Sequence, residues 1–248
     1  MKHRFFVEAD ALDAELRQVA FSAEQTHQLR HVLRLRPGDR VRVFDGIKPL
    51  DRIVELTGPG VGRVVGTRPQ PPEPRTKVAV YPALVQRDKF EPVLQKLTEL
   101  GTSVIVPTLC ARGLVREAPD GARLTRWRAI VREAAEQCGR GVVPSVGPAL
   151  PLGAAIDQAV RAGRAVLAYE GERHATLRQA LAGTRTGSCV GLFVGPEGGF
   201  APEEVAAATA AGARLVTLGP RVLRTETASP VLAALVLYEL GDLWSDPA

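Results

Sequence analysis

The chain has 248 residues, 45% of them apolar and 24% charged, which is enough for one large domain or two modest ones of ordinary globular composition. Its net charge of +5 and pI of about 9.4 favour an anionic partner. The N-terminus lacks a stretch with the length of a signal peptide, and the uncharged run Pro230–Tyr238 is too short to span a membrane. We therefore expect a cytoplasmic protein with no membrane partner.

The cysteines and histidines show no metal-binding spacing. The three cysteines stand far apart, and their odd number argues against a disulfide framework. The four histidines show no metal-ligand spacing, so we expect no metal site. The residues concerned are Cys110, Cys138, Cys189, His3, His27, His31 and His174.

Residues 1–70 have the pattern of a small, mostly β module. Val41–Phe44 alternates apolar and polar residues, and Arg52–Leu56 and Val61–Val65 are further strand candidates. One helix is predicted over Glu24–Leu33, with Ser22 as its N-cap. Short strands with a single helix predict a barrel-like fold for this part of the chain.

A proline-rich segment follows, and we interpret residues 71–76 as a semi-rigid linker, because such a sequence sustains neither a helix nor a central strand. In residues 77–248 predicted strands alternate with predicted helices, which indicates an α/β domain with a parallel sheet and helices on both faces. The strands are predicted over Val78–Val85, Val104–Pro107 and Ala165–Tyr169, and the helices over Lys89–Leu100, Ala122–Cys138 and Pro151–Ala162.

Two loops near the C-terminus organise this second domain. Leu192–Phe200 and Leu218–Thr227 each contain an apolar run and a Gly/Pro turn, and an amphipathic segment follows, which is the order strand, loop, helix. If the two strands are neighbours in a parallel sheet, the loops form one crevice at its carboxyl edge, where ligands of such sheets bind. The second loop also carries Arg221, Arg224 and Glu226. We predict that the active site lies here.

The pattern alone leaves a structural interpretation of these loops open. The chain has no P-loop and no Gly-x-Gly-x-x-Gly fingerprint, which argues against the ordinary Rossmann enzymes. A Gly-Gly turn can serve structure alone, and Arg221, Arg224 and Glu226 can be a surface ion-pair cluster. Loops are nevertheless where binding residues concentrate.

Two further motifs also allow two interpretations. The basic run Leu29–Arg36 can be the solvent face of a helix end or a patch that contacts nucleic-acid phosphates. Glu136–Arg140 is typical of a helix end, with Gly139 as the glycine that terminates the helix. Cys138 in this motif is more easily interpreted as an inert thiol than as a nucleophile.

Taken in order, these motifs resemble the signatures of the RsmE-type ribosomal RNA (uracil-N3) methyltransferases of the SPOUT superfamily. The resemblance covers nearly the whole chain, and the N-terminal part looks like the family's RNA-binding, PUA-like β-barrel. The segments that carry the resemblance are His3–Val7, His31–Asp39, Glu136–Arg140, Gly195–Phe200 and Leu218–Thr227.

The resemblance implies an S-adenosylmethionine-dependent enzyme that methylates N3 of a uridine in 16S ribosomal RNA, free or in the assembled small subunit. It also implies a homodimer and a SPOUT-type α/β domain with a C-terminal trefoil knot. Cofactor contacts are implied for Gly195, Glu197, Gly198, Gly199, Leu218, Gly219, Leu223 and Thr225. Catalytic roles are implied for Arg221, Arg224 and Glu226, and RNA contacts for Arg4, Arg30, His31, Arg34 and Arg36.

The chain departs from the family pattern at two places. Ala201 stands where relatives commonly have Ser or Thr, and it cannot cap the following helix, a loss of about 1 kcal/mol that Pro202 partly offsets. Ser229-Pro230 replaces small residues, and we expect the last helix to start between Thr225 and Pro230.

Two other functions stay open at this point. One is a related knotted methyltransferase with another target, such as a transfer RNA ribose. The other is a non-catalytic ribosome-assembly factor that binds RNA.

Overall fold

The computed structural model describes residues 3–13 and 17–243. The chain divides into two compact units, of which the first combines the described residues up to Glu73 with Arg132–Val143. The second consists of Pro74–Val131 and the described residues from Pro144 onward. The boundary at Glu73 falls within the segment that we interpreted as a linker. The assignment of Arg132–Val143 to the first unit was not predicted.

The first unit contains a six-stranded sheet within the described residues. Its strands are β1 Arg4–Phe6, β2 Leu12–Asp13, β3 Gln18–Ala20, β4 Arg40–Phe44, β5 Leu50–Gly58 and β6 Val61–Pro69. They lie in the order β1-β4-β5-β6-β3-β2, with β1 parallel to β4 and all other pairs antiparallel. The three predicted strands are confirmed as parts of β4, β5 and β6. Between the described residues of β1 and β2 there is no pairing, so this part of the chain shows an open sheet.

The helices of the described residues are α1 Ala23–His27, α2 Arg87–Leu100, α3 Gly121–Cys138, α4 Leu152–Ala162, α5 Leu177–Ala180, α6 Pro202–Ala210 and α7 Thr225–Glu239. None of them is both long and apolar enough to cross a membrane. The predictions for α2, α3 and α4 are confirmed to within two residues. Gly101 and Gly139 follow α2 and α3 with φ of +95° and +87°, a conformation that favours glycine.

The helix predicted over Glu24–Leu33 forms in two parts. The Ser22 hydroxyl accepts a hydrogen bond from the Gln25 amide, and the Gln25 side chain accepts one from the Ser22 amide, so a capping box begins α1. From Gln28 to Val32 the chain continues as a π-helical turn. Ser22 is therefore confirmed as the N-cap.

Arg4 organises the interior of the first unit. Its Nε donates to Asp51 Oδ1 at 2.9 Å, and its guanidinium lies 3.6 Å from the centre of the Phe44 ring. The two terminal nitrogens donate to the carbonyl oxygens of Ala135 and Arg140, at 2.8 and 2.6 Å. Arg4 thus fixes the end of α3 to the sheet, through one carbonyl in the last turn of the helix and one in the segment that follows it.

The prediction that Arg4 contacts RNA is therefore wrong. The residue is only 7% exposed, and its guanidinium is already surrounded by an acidic side chain, two carbonyls and an aromatic ring. The Glu136–Arg140 motif has a structural part in the same arrangement. Glu136 accepts a hydrogen bond from the Phe6 amide at 2.6 Å, and Arg140 pairs with Glu73 at 2.7 Å.

A parallel six-stranded sheet forms the centre of the second unit. Its strands are β7 Lys77–Pro82, β8 Val104–Ile105, β10 Ser145–Val146, β12 Arg164–Ala168, β13 Cys189–Val194 and β14 Arg214–Val216, and β9 Thr108–Leu109 pairs separately with β11 Leu150–Pro151. The order in the sheet is β10-β8-β7-β13-β12-β14, and every pair is parallel. The prediction of an α/β fold with a parallel sheet is confirmed.

Helices cover both faces of this sheet, because successive residues of a strand point to opposite sides. Tyr81, Leu167 and Phe193 pack in one buried cluster with residues of α4 and α6. The intervening Val80 and Leu192 are fully buried on the other side, where α7 contacts β7 and β13 and packs against α2. Because both faces of the sheet are buried, the sequences of these strands are continuous apolar runs.

Two helix starts differ from the expected chemistry. Glu204 Oε2 accepts a hydrogen bond from the Ala201 amide at 2.8 Å, so a neighbouring glutamate supplies one half of the cap that Ala201 cannot. Helix α7 begins at Thr225, which places Pro230 inside the helix rather than in its first turn. Proline has no N–H, so the helix lacks the backbone bond that this position would otherwise donate.

We expect Arg4→Met to destabilise the protein by about 3–5 kcal/mol, because removal of one member of a buried ion pair leaves polar groups without partners. Urea unfolding measures the change. Arg40→Met is the matched control: this arginine pairs with Glu55 on the same sheet, but its side chain is 58% exposed. It should change stability by at most about 1 kcal/mol. Equal losses in the two variants would contradict the structural role of Arg4.

Candidate functional site

Three loops at the carboxyl edge of the parallel sheet enclose one cavity of about 540 Å³. They follow β12, β13 and β14, which end at Ala168, Val194 and Val216. The sequence predicted two loops on neighbouring strands. That adjacency is wrong, because β12 lies between β13 and β14 and adds its own loop. The expected crevice forms nonetheless, from three adjacent strand ends instead of two.

The glycine-rich loop Gly195–Gly199 forms the wall of the cavity that follows β13. Gly199 has a φ of +68°, and a Cβ atom at this position would overlap the carboxylate of Glu170 from the loop after β12. A Cβ atom at Gly198 would lie 3.0 Å from the carbonyl oxygen of Arg112. Glycine at both positions therefore lets the loop backbone pack closely against its neighbours.

Thr225 connects this loop with the one that follows β14. Its hydroxyl donates a hydrogen bond of 2.7 Å to the carbonyl oxygen of Gly195, and the residue is only 3% exposed. Thr225 is also the first residue of α7, so the bond joins the end of β13 to the start of that helix. The Thr225 hydroxyl therefore holds the two loops together.

The cavity lining contains all eight residues that the resemblance implies for the cofactor, together with Arg221 and Arg224. Glu226 lies in the first turn of α7, and its Oε2 is buried without a hydrogen-bond partner among the described residues. Arg221 and Arg224 are exposed side chains beside the cavity. The structure thus brings all the predicted catalytic and cofactor residues except Glu226 to the lining of one cavity.

Lys89 and the loop after β12 were not predicted from the sequence as parts of the site. Lys89 lies in the first turn of α2 and lines the cavity, where its Nζ is 3.0 Å from Glu197 Oε1. Tyr169, Glu170 and Arg173 contribute to the lining from the loop after β12. Only the order of the strands brings these residues to the site, and no local pattern of the sequence indicates that order.

Lys89 and Glu197 affect each other's ionisation. The hydrogen bond and the charge of Glu197 raise the pKa of Lys89. Burial raises the pKa of Glu197, but a backbone hydrogen bond and Lys89 outweigh this effect, so that the pKa lies below its usual value. Both groups are therefore charged at neutral pH.

In the first unit, the other residues implied for RNA are accessible. The side chains of Arg30, His31, Arg34 and Arg36 are exposed, whereas Leu29, which precedes them, is buried. Arg34 has a φ of +56°, which is unusual for a residue with a Cβ atom and redirects the chain after the π-helical turn. Across residues 3–13 and 17–243, no three His, Cys, Asp or Glu side chains group so as to hold a metal ion.

A parallel α/β domain with a ligand-sized cavity between glycine-containing loops has the architecture of an enzyme for a small-molecule ligand. The family model described as the RNA methyltransferase domain matches residues 71–237, and this defines the class. The chain belongs to the ribosomal RNA small subunit methyltransferase E family.

Similar proteins extend over most of the chain. The ribosomal RNA small subunit methyltransferase E of Mycobacterium bovis is 41% identical, with 86% of this chain and 82% of the relative covered. That of Bacillus subtilis is 29% identical, with 98% and 99% covered. The crystal structure of the Neisseria gonorrhoeae methyltransferase E bound to S-adenosyl methionine is 28% identical, has a TM-score of 0.85 and covers 96% of this chain and 98% of its own.

We expect Thr225→Val to lower the free energy of unfolding by about 1 kcal/mol, because the half-buried Gly195 carbonyl loses its donor while the shape of the side chain is kept. Thermal and urea unfolding measure the change. Thr227→Val is the matched control, since Thr227 lies on the same helix with an exposed side chain. A loss in the control as large as in Thr225→Val would show that the Gly195 bond is not the cause.

Proposed function

We propose that this protein transfers the methyl group of S-adenosylmethionine to N3 of a uridine in small-subunit ribosomal RNA. The observation that carries the proposal is the cavity between Gly195–Gly199 and Leu218–Thr225 in a chain of the methyltransferase E family. The structural neighbour with a TM-score of 0.85 is described as bound to S-adenosyl methionine. The substrate follows from the family name, since the relatives are named for small-subunit ribosomal RNA.

The cavity suits this cofactor in size and in chemistry. Its volume of about 540 Å³ falls within the ~300–1,000 Å³ of small-molecule sites. Backbone groups of Gly195, Gly198, Gly199, Leu218, Gly219 and Leu223 would hold the adenosine and methionine parts. The methyl group on a sulfonium is already activated, so the proposal requires no metal ion.

The protein must make uridine N3 nucleophilic, because the protonated imide is a poor nucleophile. We assign Arg221 and Arg224 to the anionic base or an adjacent phosphate, since a guanidinium presents a fixed fork of donors. Glu226 is the candidate proton acceptor. Its buried Oε2 without a partner supports this assignment, because buried polar atoms of native proteins are nearly always hydrogen-bonded.

We propose that residues 1–70 are a PUA-like module that binds RNA, followed by the linker 71–76 and the catalytic domain 77–248. The exposed side chains of Arg30, His31, Arg34 and Arg36 support an electrostatic contact with phosphates. N3 lies on the Watson–Crick edge of uridine, so the target base must be unpaired when it reacts. A module that grips neighbouring RNA would keep such a base near the cavity.

We also propose the trefoil knot and the homodimer of the SPOUT superfamily. In support of the knot, β14 lies at the edge of the sheet whereas α7, which follows it, contacts β7 and β13 beyond β12. In support of a dimer, α7 exposes Leu235 and Tyr238 at 42% and 49%. Ribosomal subunits as substrate would place the enzyme in the cytoplasm.

We expect Arg224→Ala to lower methyl transfer by about 100-fold or more, the effect of removing one donor from a developing anion. Transfer of a radiolabelled methyl group to ribosomal RNA measures the rate. Primer extension locates the product, because N3-methyluridine stops reverse transcriptase whereas a ribose methyl group largely does not. A ribose product would favour the other knotted methyltransferases, and RNA binding without label transfer would indicate an assembly factor.

The control for Arg224→Ala is Arg178→Ala, since Arg178 pairs with Glu239 outside the cavity. Normal turnover by Arg224→Ala would rule out the catalytic assignment.

We expect Gly198→Val to weaken cofactor binding by about tenfold or more, because its Cβ atom must displace the Arg112 backbone and with it the loop. Isothermal titration calorimetry with S-adenosylmethionine measures the affinity. Gly153→Val serves as the control, because a Cβ atom at Gly153 meets nothing within 4 Å. Unchanged affinity in Gly198→Val would remove this loop from the cofactor site.

A further inference from the structure

One side chain ties the glycine-rich loop to a helix far away in sequence. Glu197 is the only ionisable residue of Gly195–Gly199, and its Oε1 lies 3.0 Å from the Nζ of Lys89 in α2. The two residues are 108 positions apart in the chain. Their side chains are 30% and 27% exposed, so water screens this pair less than a fully exposed one.

The other hydrogen bonds of the loop involve its backbone. The Gly199 amide donates to the Pro196 carbonyl within the turn, and Gly195 accepts the hydroxyl of Thr225. The first bond closes the turn across Glu197 and Gly198, and the second holds the start of the loop. At the centre of the loop, Glu197 and Gly198 are exposed. Among the described residues, the ion pair between Glu197 and Lys89 is the side-chain contact that holds this part of the loop.

We propose that Lys89 is a positioning residue that acts through Glu197 to hold the glycine-rich loop in the conformation that receives the methyl donor. This inference rests on the proposed function. It changes the role of Glu197, which was expected to contact the cofactor. The Glu197 carboxylate binds Lys89, and the loop contributes its backbone to the cavity.

The charges around Lys89 support a lasting pair. Glu226 on α7 also attracts Lys89, whereas Arg224 repels it, and both effects are smaller than that of Glu197. Lys89 and Glu197 are both charged at neutral pH and compensate each other at the rim of a cavity that would bind a sulfonium cation. Without Lys89, the Glu197 carboxylate would be unpaired and free to adopt other rotamers, and the centre of the loop would move with it.

The test measures donor affinity in variants of the full-length chain. We expect Lys89→Gln and Glu197→Gln each to raise the calorimetric Kd for S-adenosylmethionine by about five- to tenfold, within the range of coupled neighbouring residues. The double variant should bind no more weakly than either single variant. Lys89→Arg and the exchange Lys89→Glu with Glu197→Lys should recover most of the affinity. Lys96→Gln is the matched control, because Lys96 pairs with Glu99 on the same helix and does not line the cavity.

Kinetics separate positioning of the loop from direct action on RNA. In Lys89→Gln the KM for the donor should rise, while the KM for RNA and the kcat at saturating donor stay at the wild-type values. An unchanged Kd in both single variants would overturn the proposal, as would a raised RNA KM with unchanged donor affinity. Additive losses in the double variant would also overturn it.

The failure of the proposed function would look different. In that case the wild-type protein would bind no S-adenosylmethionine, or would bind it without labelling ribosomal RNA. The donor-binding comparison between variants needs no RNA, so the role of Lys89 is judged independently of the methylated target.

Discussion

The hydrogen bond from the Thr225 hydroxyl to the Gly195 carbonyl is the contact on which the site depends. It joins the loop after β13 to the first residue of α7, and so unites two segments that are 30 positions apart. Its donor Thr225 is buried and the bond is partly shielded from water, which makes its loss more costly than that of an exposed one. The two joined loops line one cavity together with the loop after β12. The methyl-donor site that we propose, the arginines beside it and the Lys89 contact all use this arrangement.

Local pattern predicted much of the second unit. The apolar run before Gly195, the alternation of strands and helices, and the glycines after α2 and α3 gave elements that the structure confirms. The order of the strands lay beyond such reasoning. Nothing near β12 in the sequence indicates that it separates β13 from β14, because strand order depends on pairing between distant segments. Lys89 could not be predicted for the same reason. Its helix α2 follows β7, and it lies near the glycine-rich loop because β7 pairs with β13.

The error at Arg4 has a similar cause. Arginine is rarely fully buried, so the RNA contact that the resemblance implies for Arg4 agreed with the usual exposure of this residue type. Its burial is made possible by Asp51 and by the carbonyls of Ala135 and Arg140, which are 47, 131 and 136 positions away. The family resemblance supplied what periodicity could not, namely the enzyme class and the cofactor.

A crystal structure of this protein with S-adenosylmethionine would show where the methyl donor binds. We predict that the cofactor lies in the cavity between Gly195–Gly199 and Leu218–Thr225, against the glycine backbone and within reach of Arg224. Cofactor bound elsewhere on the chain, with the Thr225–Gly195 bond intact and these loops without ligand, would contradict it.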